Sequence, residues 1–234
     1  MHIEAVELVK HQGRHFTLRV PSLVIEQGQA VGLVGNNGAG KTTFLRLLLD
    51  LIQADEGHVE IGGVPVAGRS DWKTDVGAYL DEAFLLDFLT AEEFFQFVGG
   101  VYGRSQTGIE RALAPYRAFF GDGVLGATPA YLRDLSMGNK KKVGIVAAMM
   151  VEPRLLILDE PFANLDPGSQ LRLKAMLREL SEQHGTTMLI SSHDLGHVTE
   201  ICERITILDD GALVRDLQTS DATLRELEAY FATW

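Results

Sequence analysis

Gly35-Asn36-Asn37-Gly38-Ala39-Gly40-Lys41-Thr42-Thr43 lies between the short apolar run "AVGLV" (30–34) and the longer run "FLRLLLDLI" (44–52). The stretch has the form Gly-x4-Gly-Lys-Thr, and its flanks read as a buried strand and a helix, the context in which this spacing cradles a phosphate. The glycines let the backbone close around the phosphates and turn N–H groups inward, and a helix starting near Lys41 adds its positive dipole end. Lys41 is expected to reach the β- and γ-phosphates of a nucleotide, and the Thr42 hydroxyl to ligate Mg²⁺.

Working outward, residues 1–30 alternate and turn as β-rich segments do, ending at Gly28. The helix after the loop, "TTFLRLLLDLI", is apolar on nearly every side and so belongs inside the protein. "GHVEIGGVPV" (57–66) reads as a hairpin. From Asp81 to about Val151 the texture changes: Phe84, Phe88, Phe94, Phe95, Phe97, Phe119 and Phe120 are seven of the chain's eleven phenylalanines, at helical spacing. An inserted helical subdomain is expected there. A second strand-and-helix half starts at "RLLILDE" (154–160), a continuous apolar run of the kind buried parallel strands show. Asp166 can cap the next helix with Pro167 at its first position, and Leu173, Met176, Leu177 and Leu180 give that helix one apolar stripe. "TTMLISS" (186–192) and "RITILDD" (204–210) supply two more strands with a helix between them. The expectation is a single α/β domain of 1–234, its core from 1–80 and 152–234 and its helical insertion from 81–151.

The composition, 46% hydrophobic and 23% charged, is that of an ordinary folded globular chain. A net charge of −11 argues against a surface built to grip nucleic acid. Cys202 is the lone cysteine, so no intrachain disulfide can form and a reducing compartment is expected. The first residues, "MHIEAVELVK", carry acids and lack the apolar core of a secretion signal. No apolar run approaches the ~18–20 residues that cross a bilayer, "VGIVAAMMV" (143–151) being too short, so a membrane role must come through a partner.

"LLILDE" places Asp159 at the carboxyl end of a buried strand, where open α/β sheets put their ligands. Asp159 is expected to hold the metal, directly or through water, and Glu160 to orient the attacking water as general base. "LSMGN" (135–139) then resembles the signature of ATP-binding cassette ATPases, usually Leu-Ser-Gly-Gly-Gln, with Met137 and Asn139 at the third and fifth places. The likeness runs on through "EPRLLILDEPFANLDP" (152–167) and "ISSHD" (190–194) and covers essentially the whole chain in order.

The resemblance implies a P-loop NTPase with a mixed core sheet, an N-terminal antiparallel β subdomain and an inserted α-helical subdomain. It implies ATP and Mg²⁺, held by Gly35 to Thr43, Asp159 and, from a second subunit, Ser136 and Gly138. His193 matches the residue that contacts the γ-phosphate, and Asn164 to Asp166 match a loop that crosses the dimer interface. Two copies, or one copy and a paralogous ATPase subunit, are expected to pack head to tail around two ATP molecules. Separate transmembrane permease subunits are expected to dock between Asp81 and Tyr131, placing the chain at the cytoplasmic face of the membrane. The spacing within "LSMGNKKKVGIVAAMM" and "DEAFLLDFLTAEEFFQFV" looks most like the exporter branch.

Two places depart from the family pattern. Its usual metal-meeting Gln is replaced in "AYLDEAF" by Asp81 or Glu82, and Asp81 is carried as the third metal position. No tyrosine stands ready to stack on adenine, leaving His11, His15 and Phe16, of which His11 and Phe16 are carried as base contacts. Lys140, Lys141 and Lys142 crowd a helix start, where positive charge is disfavoured by ~0.3–1 kcal/mol each. Either an anion nearby offsets them or they form a solvated face. A rival functional class is a soluble regulatory or mechanical ATPase acting on ribosomes or nucleic acid, and a third is a binding-only switch. The single phosphate loop, the lack of sustained heptads and the acidic charge weigh against the first of these, Glu160 and His193 against the second.

Overall fold

The computed structural model of the chain describes residues 1–13, 15–121, 124–125, 130–220 and 222–231. Alternating residues at the start form two paired antiparallel strands, β1 (Ile3–Gln12) and β2 (Phe16–Ile25), with Ile3 opposite Ile25 and Gln12 opposite Phe16. β3 (Ala30–Val34) is buried at every residue and feeds the glycine loop and α1 (Lys41–Leu48). A hairpin follows, β4 (Glu56–Ile61) and β5 (Val64–Pro65), whose turn residues Gly62 and Gly63 both have positive φ, as a two-residue turn of this hand requires. After β6 (Val76–Tyr79) come three helices, α2 (Ala91–Val101), α3 (Gln106–Leu113) and α4 (Met137–Met149). The chain then runs through β7 (Leu155–Leu158), α5 (Pro167–His184), β8 (Thr187–Ser192), α6 (Leu195–Ile201), β9 (Arg204–Asp209), β10 (Ala212–Gln218) and α7 (Thr223–Phe231).

Among the described residues one ten-stranded sheet forms, in the order β5-β4-β1-β2-β10-β9-β3-β8-β7-β6. The five strands from β9 to β6 are mutually parallel; β5, β4, β1 and β2 are antiparallel, as are β10 and β9. This is the expected mixed sheet with an antiparallel N-terminal part. Its consequence for function is that β3, β7 and β8 end side by side, bringing the glycine loop, Asp159–Glu160 and His193 to one edge.

The helices start where their caps dictate. Thr90 and Glu93 make a reciprocal capping box at α2, and Asp166 accepts from Ser169 N–H at the head of α5, each worth about 1 kcal/mol. α5 stops at Gly185, whose φ of 61° closes the last turn. α1 is shorter than its apolar run suggests: it ends at Leu48, and Asp50 has already turned to φ 54°. α4 lies close upon β6, because a side chain on Gly77 would strike the Ala148 carbonyl and one on Gly144 would strike the Tyr79 ring.

The phenylalanines divide by role. Phe94, Phe95, Phe119 and Phe120 are buried in one cluster with residues of α4, β7 and β8, whereas Phe84, Phe88 and Phe97 are more than half exposed. α7 (Thr223–Phe231) is the last described element, with Asp221 and Trp234 outside the described residues. No helix among the described residues is long and apolar enough to cross a membrane.

Candidate functional site

The loop from Gly35 to Gly40 turns through left-handed geometry at Gly38 (φ 87°) and Gly40 (φ 106°), which side chains other than hydrogen rarely adopt. Gly40 is the N-cap of α1 and offers no side-chain oxygen to its first turn. The N–H groups there are left for an anion, and the dipole favours one. Lys41 is 7% exposed, its ammonium donating to the Gly35 carbonyl at 2.6 Å and standing 3.3 Å from Glu160 Oε1. That carboxylate oxygen is buried and has an ion partner but no hydrogen bond.

Asp159, 5% exposed, is gripped from both sides. Thr42 donates its hydroxyl to Oδ2 at 2.5 Å, and the Ser191 hydroxyl of β8 donates to Oδ1. A hydroxyl and a carboxylate held together beside a phosphate loop are the hard oxygen donors that Mg²⁺ selects, so the residues present fit that ion. Glu160 follows with φ 47°, a left-handed conformation that costs a non-glycine residue roughly 1–2 kcal/mol. Its N–H donates to Ser191 Oγ at 2.9 Å, and its Oε2 accepts from His193 Nδ1 at 2.8 Å and His193 N–H at 3.2 Å. The arrangement can place a base, a cation and inward N–H groups around one phosphoryl group.

Gln12, Phe16, Asn36, Asn37, Gly38, Gly40, Lys41, Thr42, Thr43, Asp159 and Glu160 line a common cleft of about 230 Å³. Phe16 overhangs the loop so closely that a Cβ on Gly40 would come within 2.7 Å of its ring. Gln12, which the sequence reading passed over, accepts from the Thr43 hydroxyl at 3.2 Å. Its signal was positional: it closes β1 directly opposite Phe16.

Two expected residues are placed elsewhere. His11 does not line the cleft; its ring pairs with the Thr17 hydroxyl at 3.0 Å and its N–H donates to Asp55. Asp81 does not line it either, because its carboxylate caps the next turn through Ala83 N–H at 2.7 Å and faces Arg46 at 3.7 Å. Its neighbour Glu82 is the acid turned inward, with Oε1 3.7 Å from Lys141 Nζ. Burial first, and Glu82 second, push the Tyr79 phenol above its ordinary range.

Ser136 caps α4 by accepting from Asn139 N–H at 3.3 Å. Gly138 lies where a Cβ would meet the Asn164 carbonyl at 2.8 Å, so the signature turn rests on the 164–166 loop. Neither Ser136 nor Gly138 lines the cleft of its own phosphate loop. The three lysines after them meet carboxylates or a carbonyl of the same chain. Lys140 pairs with Asp87 at 3.2 Å, Lys142 faces Asp166 at 3.6 Å, and Lys141 donates to the Glu160 carbonyl at 3.0 Å. Lys141 and Lys142 are buried, and burial holds the Lys141 ammonium below the usual lysine range against the pull of Glu82, Glu160 and Asp159. Carboxylates from elsewhere in the chain supply the counter-charge that the helix start lacks.

Strand, glycine loop and helix, with an Asp–Glu pair at the end of β7, a parallel strand separated from β3 by β8 alone, define a phosphate-loop nucleotide-binding protein. The ABC transporter family matches residues 18–163, and the chain belongs to that family. Its cassette is an ABC ATPase domain. An uncharacterized ABC transporter ATP-binding protein of Synechocystis is 35% identical over 85% of this chain and 55% of its own length. A bacitracin transport ATP-binding protein of Enterococcus faecalis is 33% identical over 94% of this chain and 70% of its own, and a linearmycin resistance ATP-binding protein of Bacillus subtilis 30% identical over 91% and 68%. The chain thus spans little more than half the length of the first of these relatives. A solved ATP-binding subunit of an ABC transporter superposes with a TM-score of 0.87 at 27% identity, covering 100% of this chain and 99% of that one. A cassette solved as a dimer shares the fold, with a TM-score of 0.83 at 24% identity over 93% of this chain and 99% of that one.

Proposed function

We propose that the chain is the ATP-binding and hydrolysing subunit of a membrane transporter, an exporter, that works as a pair around two ATP molecules. The observation that carries the pairing is the separation of its two phosphate-seeking elements. The 35–43 loop has its own cleft, while Ser136 and Gly138 stand outside it on α4, so a second copy or a paralogous subunit has to bring its signature to this loop. The segment 81–151 then acts as the subdomain that presents the signature.

Within each site Lys41 and the inward N–H groups of the loop take up the negative charge of the β- and γ-phosphates, and Phe16 gives adenine a ring to stack on. Thr42 and Asp159 would hold Mg²⁺, which supplies neutralising charge to the phosphate oxygens. Glu160 accepts a proton from water as that oxygen attacks the γ-phosphorus, and ADP leaves with the bond's electrons. His193 fixes the carboxylate's direction through its ring and backbone N–H. Because phosphoryl transfer asks mainly for positioning and charge stabilisation, these contacts account for the chemistry. Loss of the γ-phosphate removes the bridge between the copies.

Membrane coupling is supported by an apolar cleft of about 320 Å³ between β6 and the helices, lined by Trp72, Tyr79, Phe84, Leu85, Phe94 and Tyr102. Phe84, at its rim, is 53% exposed, and such a surface suits a helix from a spanning subunit. The export reading is supported by the spacing of the 135–150 and 81–98 segments; the relatives themselves include proteins named for bacitracin transport, linearmycin resistance and methionine import. Affinity capture of the tagged chain from detergent-solubilised membranes is expected to recover a polytopic protein. Co-sedimentation with ribosomes or nucleic acid at physiological salt, with no such protein recovered, contradicts the transporter reading.

A further inference from the structure

Lys141 is a buried cation that the proposed hydrolysis leaves unused. It projects from the first turns of α4 at 5% exposure, its ammonium 3.0 Å from the Glu160 carbonyl, 3.7 Å from Glu82 Oε1 and 5.8 Å from the centre of the Tyr79 ring. Taking an ammonium out of water is costly unless it is paired and hydrogen-bonded. The neighbouring Lys140 reaches its carboxylate from a partly exposed position, so the helix itself does not demand burial here.

What Lys141 grips is the backbone of the residue whose direction matters most. Glu160 sits in the left-handed region, and such a conformation persists only where the surroundings over-determine it. The two peptide groups that flank its Cα are held from opposite sides. The N–H donates to Ser191 of β8 at 2.9 Å, and the carbonyl accepts from Lys141 of α4 at 3.0 Å and, more weakly, from Ala163 N–H at 3.3 Å. Fixing both peptides fixes the Cα–Cβ bond, and with it where the carboxylate can reach.

We infer that Lys141 is a positioning residue for hydrolysis: it pins the Glu160 carbonyl to α4 and so aims the carboxylate, with Glu82 as its counter-charge. Ser136 and Gly138 head the same helix, so a shift of the signature turn is transmitted to Glu160 through one side chain. Tyr79, whose ring centre is 5.8 Å from the Lys141 ammonium, lines the apolar cleft, and the same ammonium therefore links that cleft to the base. The inference rests on reading Glu160 as the general base.

Its test compares Lys141→Met, Lys141→Arg and the double variant Lys141→Met/Glu82→Leu in the full chain, with steady-state ATP hydrolysis, equilibrium nucleotide binding and thermal unfolding read for each. The double variant replaces a buried ion pair by apolar groups, a change that is often neutral for stability, and it stands in if the single variant fails to fold. Expected are a kcat at least tenfold lower in both Met variants, with KM and nucleotide affinity within twofold of the parent, and recovery of most of the rate with Arg. A folded double variant with parental kcat overturns the inference, as does a fall in affinity that accounts for the lost rate. Glu160→Gln, run in parallel, separates the two claims. If it is inactive while the Lys141 variants are not, only the positioning role falls; if it turns over at the parental rate, the base assignment falls and takes this role with it.

Discussion

One oxygen of the Glu160 carboxylate, Oε2, accepts from His193 twice, 2.8 Å from the ring Nδ1 and 3.2 Å from the backbone N–H. The other oxygen, Oε1, faces the Lys41 ammonium at 3.3 Å. Lys41, Glu160 and His193 thus form one contact chain.

Replacing Lys41 by Ala removes the buried cation at the centre of the loop. Nucleotide affinity is expected to fall at least tenfold, about 1.4 kcal/mol, measured by fluorescence of a nucleotide analogue or by calorimetry. Unchanged affinity contradicts the role given to this ammonium.

His193→Ala removes the ring contact and keeps the backbone one. A kcat lower by roughly 10- to 100-fold, with KM close to the parent's, is expected from steady-state kinetics. A rise in KM at constant kcat points instead to ground-state binding.

These outcomes bear on residues that were readable in the sequence for definite reasons. Gly35 to Thr43 and Asp159–Glu160 are legible because strand, loop and helix are local, and a continuous apolar run ending in carboxylates announces a buried parallel strand. The caps at Asp166 and Ser136 are equally local. What sequence spacing does not reveal is which way neighbouring side chains turn. Asp81 and Glu82 differ by one position, yet the first is taken up by Ala83 N–H and Arg46, and the second faces Lys141. Lys141 reads as one of three like charges, and only the approach of β7 and the 82–84 turn to α4 separates it from Lys140. His11 lies off the cleft lining for an equally remote reason, its N–H donating to Asp55 just before β4 and its ring pairing with Thr17. Ser191 stood in plain view within "ISSHD", but its role depends on the parallel pairing of β7 and β8.

Stability should carry the signature of the α5 cap. Hydrogen bonds from the Ser169 hydroxyl and N–H, with Lys142 adding its charge, hold the Asp166 carboxyl down to about 2. The folded value lies below the unfolded one, near ~3.9, so this contribution is complete above that value and is lost as pH falls from there toward about 2. Urea midpoints of the parent and of Asp166→Ala are expected to differ most at neutral pH and to converge across that acid window. A gap that stays constant down to pH 2 contradicts the charged cap.

The central claim is that ATP held by the 35–43 loop is cleaved by water activated at Glu160 while a second signature closes over it. Its most direct measurement is Glu160→Gln with Mg-ATP, followed by hydrolysis assay and light scattering on the same sample. The account predicts hydrolysis lower by about 10²-fold or more, retained nucleotide binding and a stable dimer that the parent forms only transiently. A variant that hydrolyses ATP at the parental rate, or that stays monomeric with nucleotide bound, contradicts it.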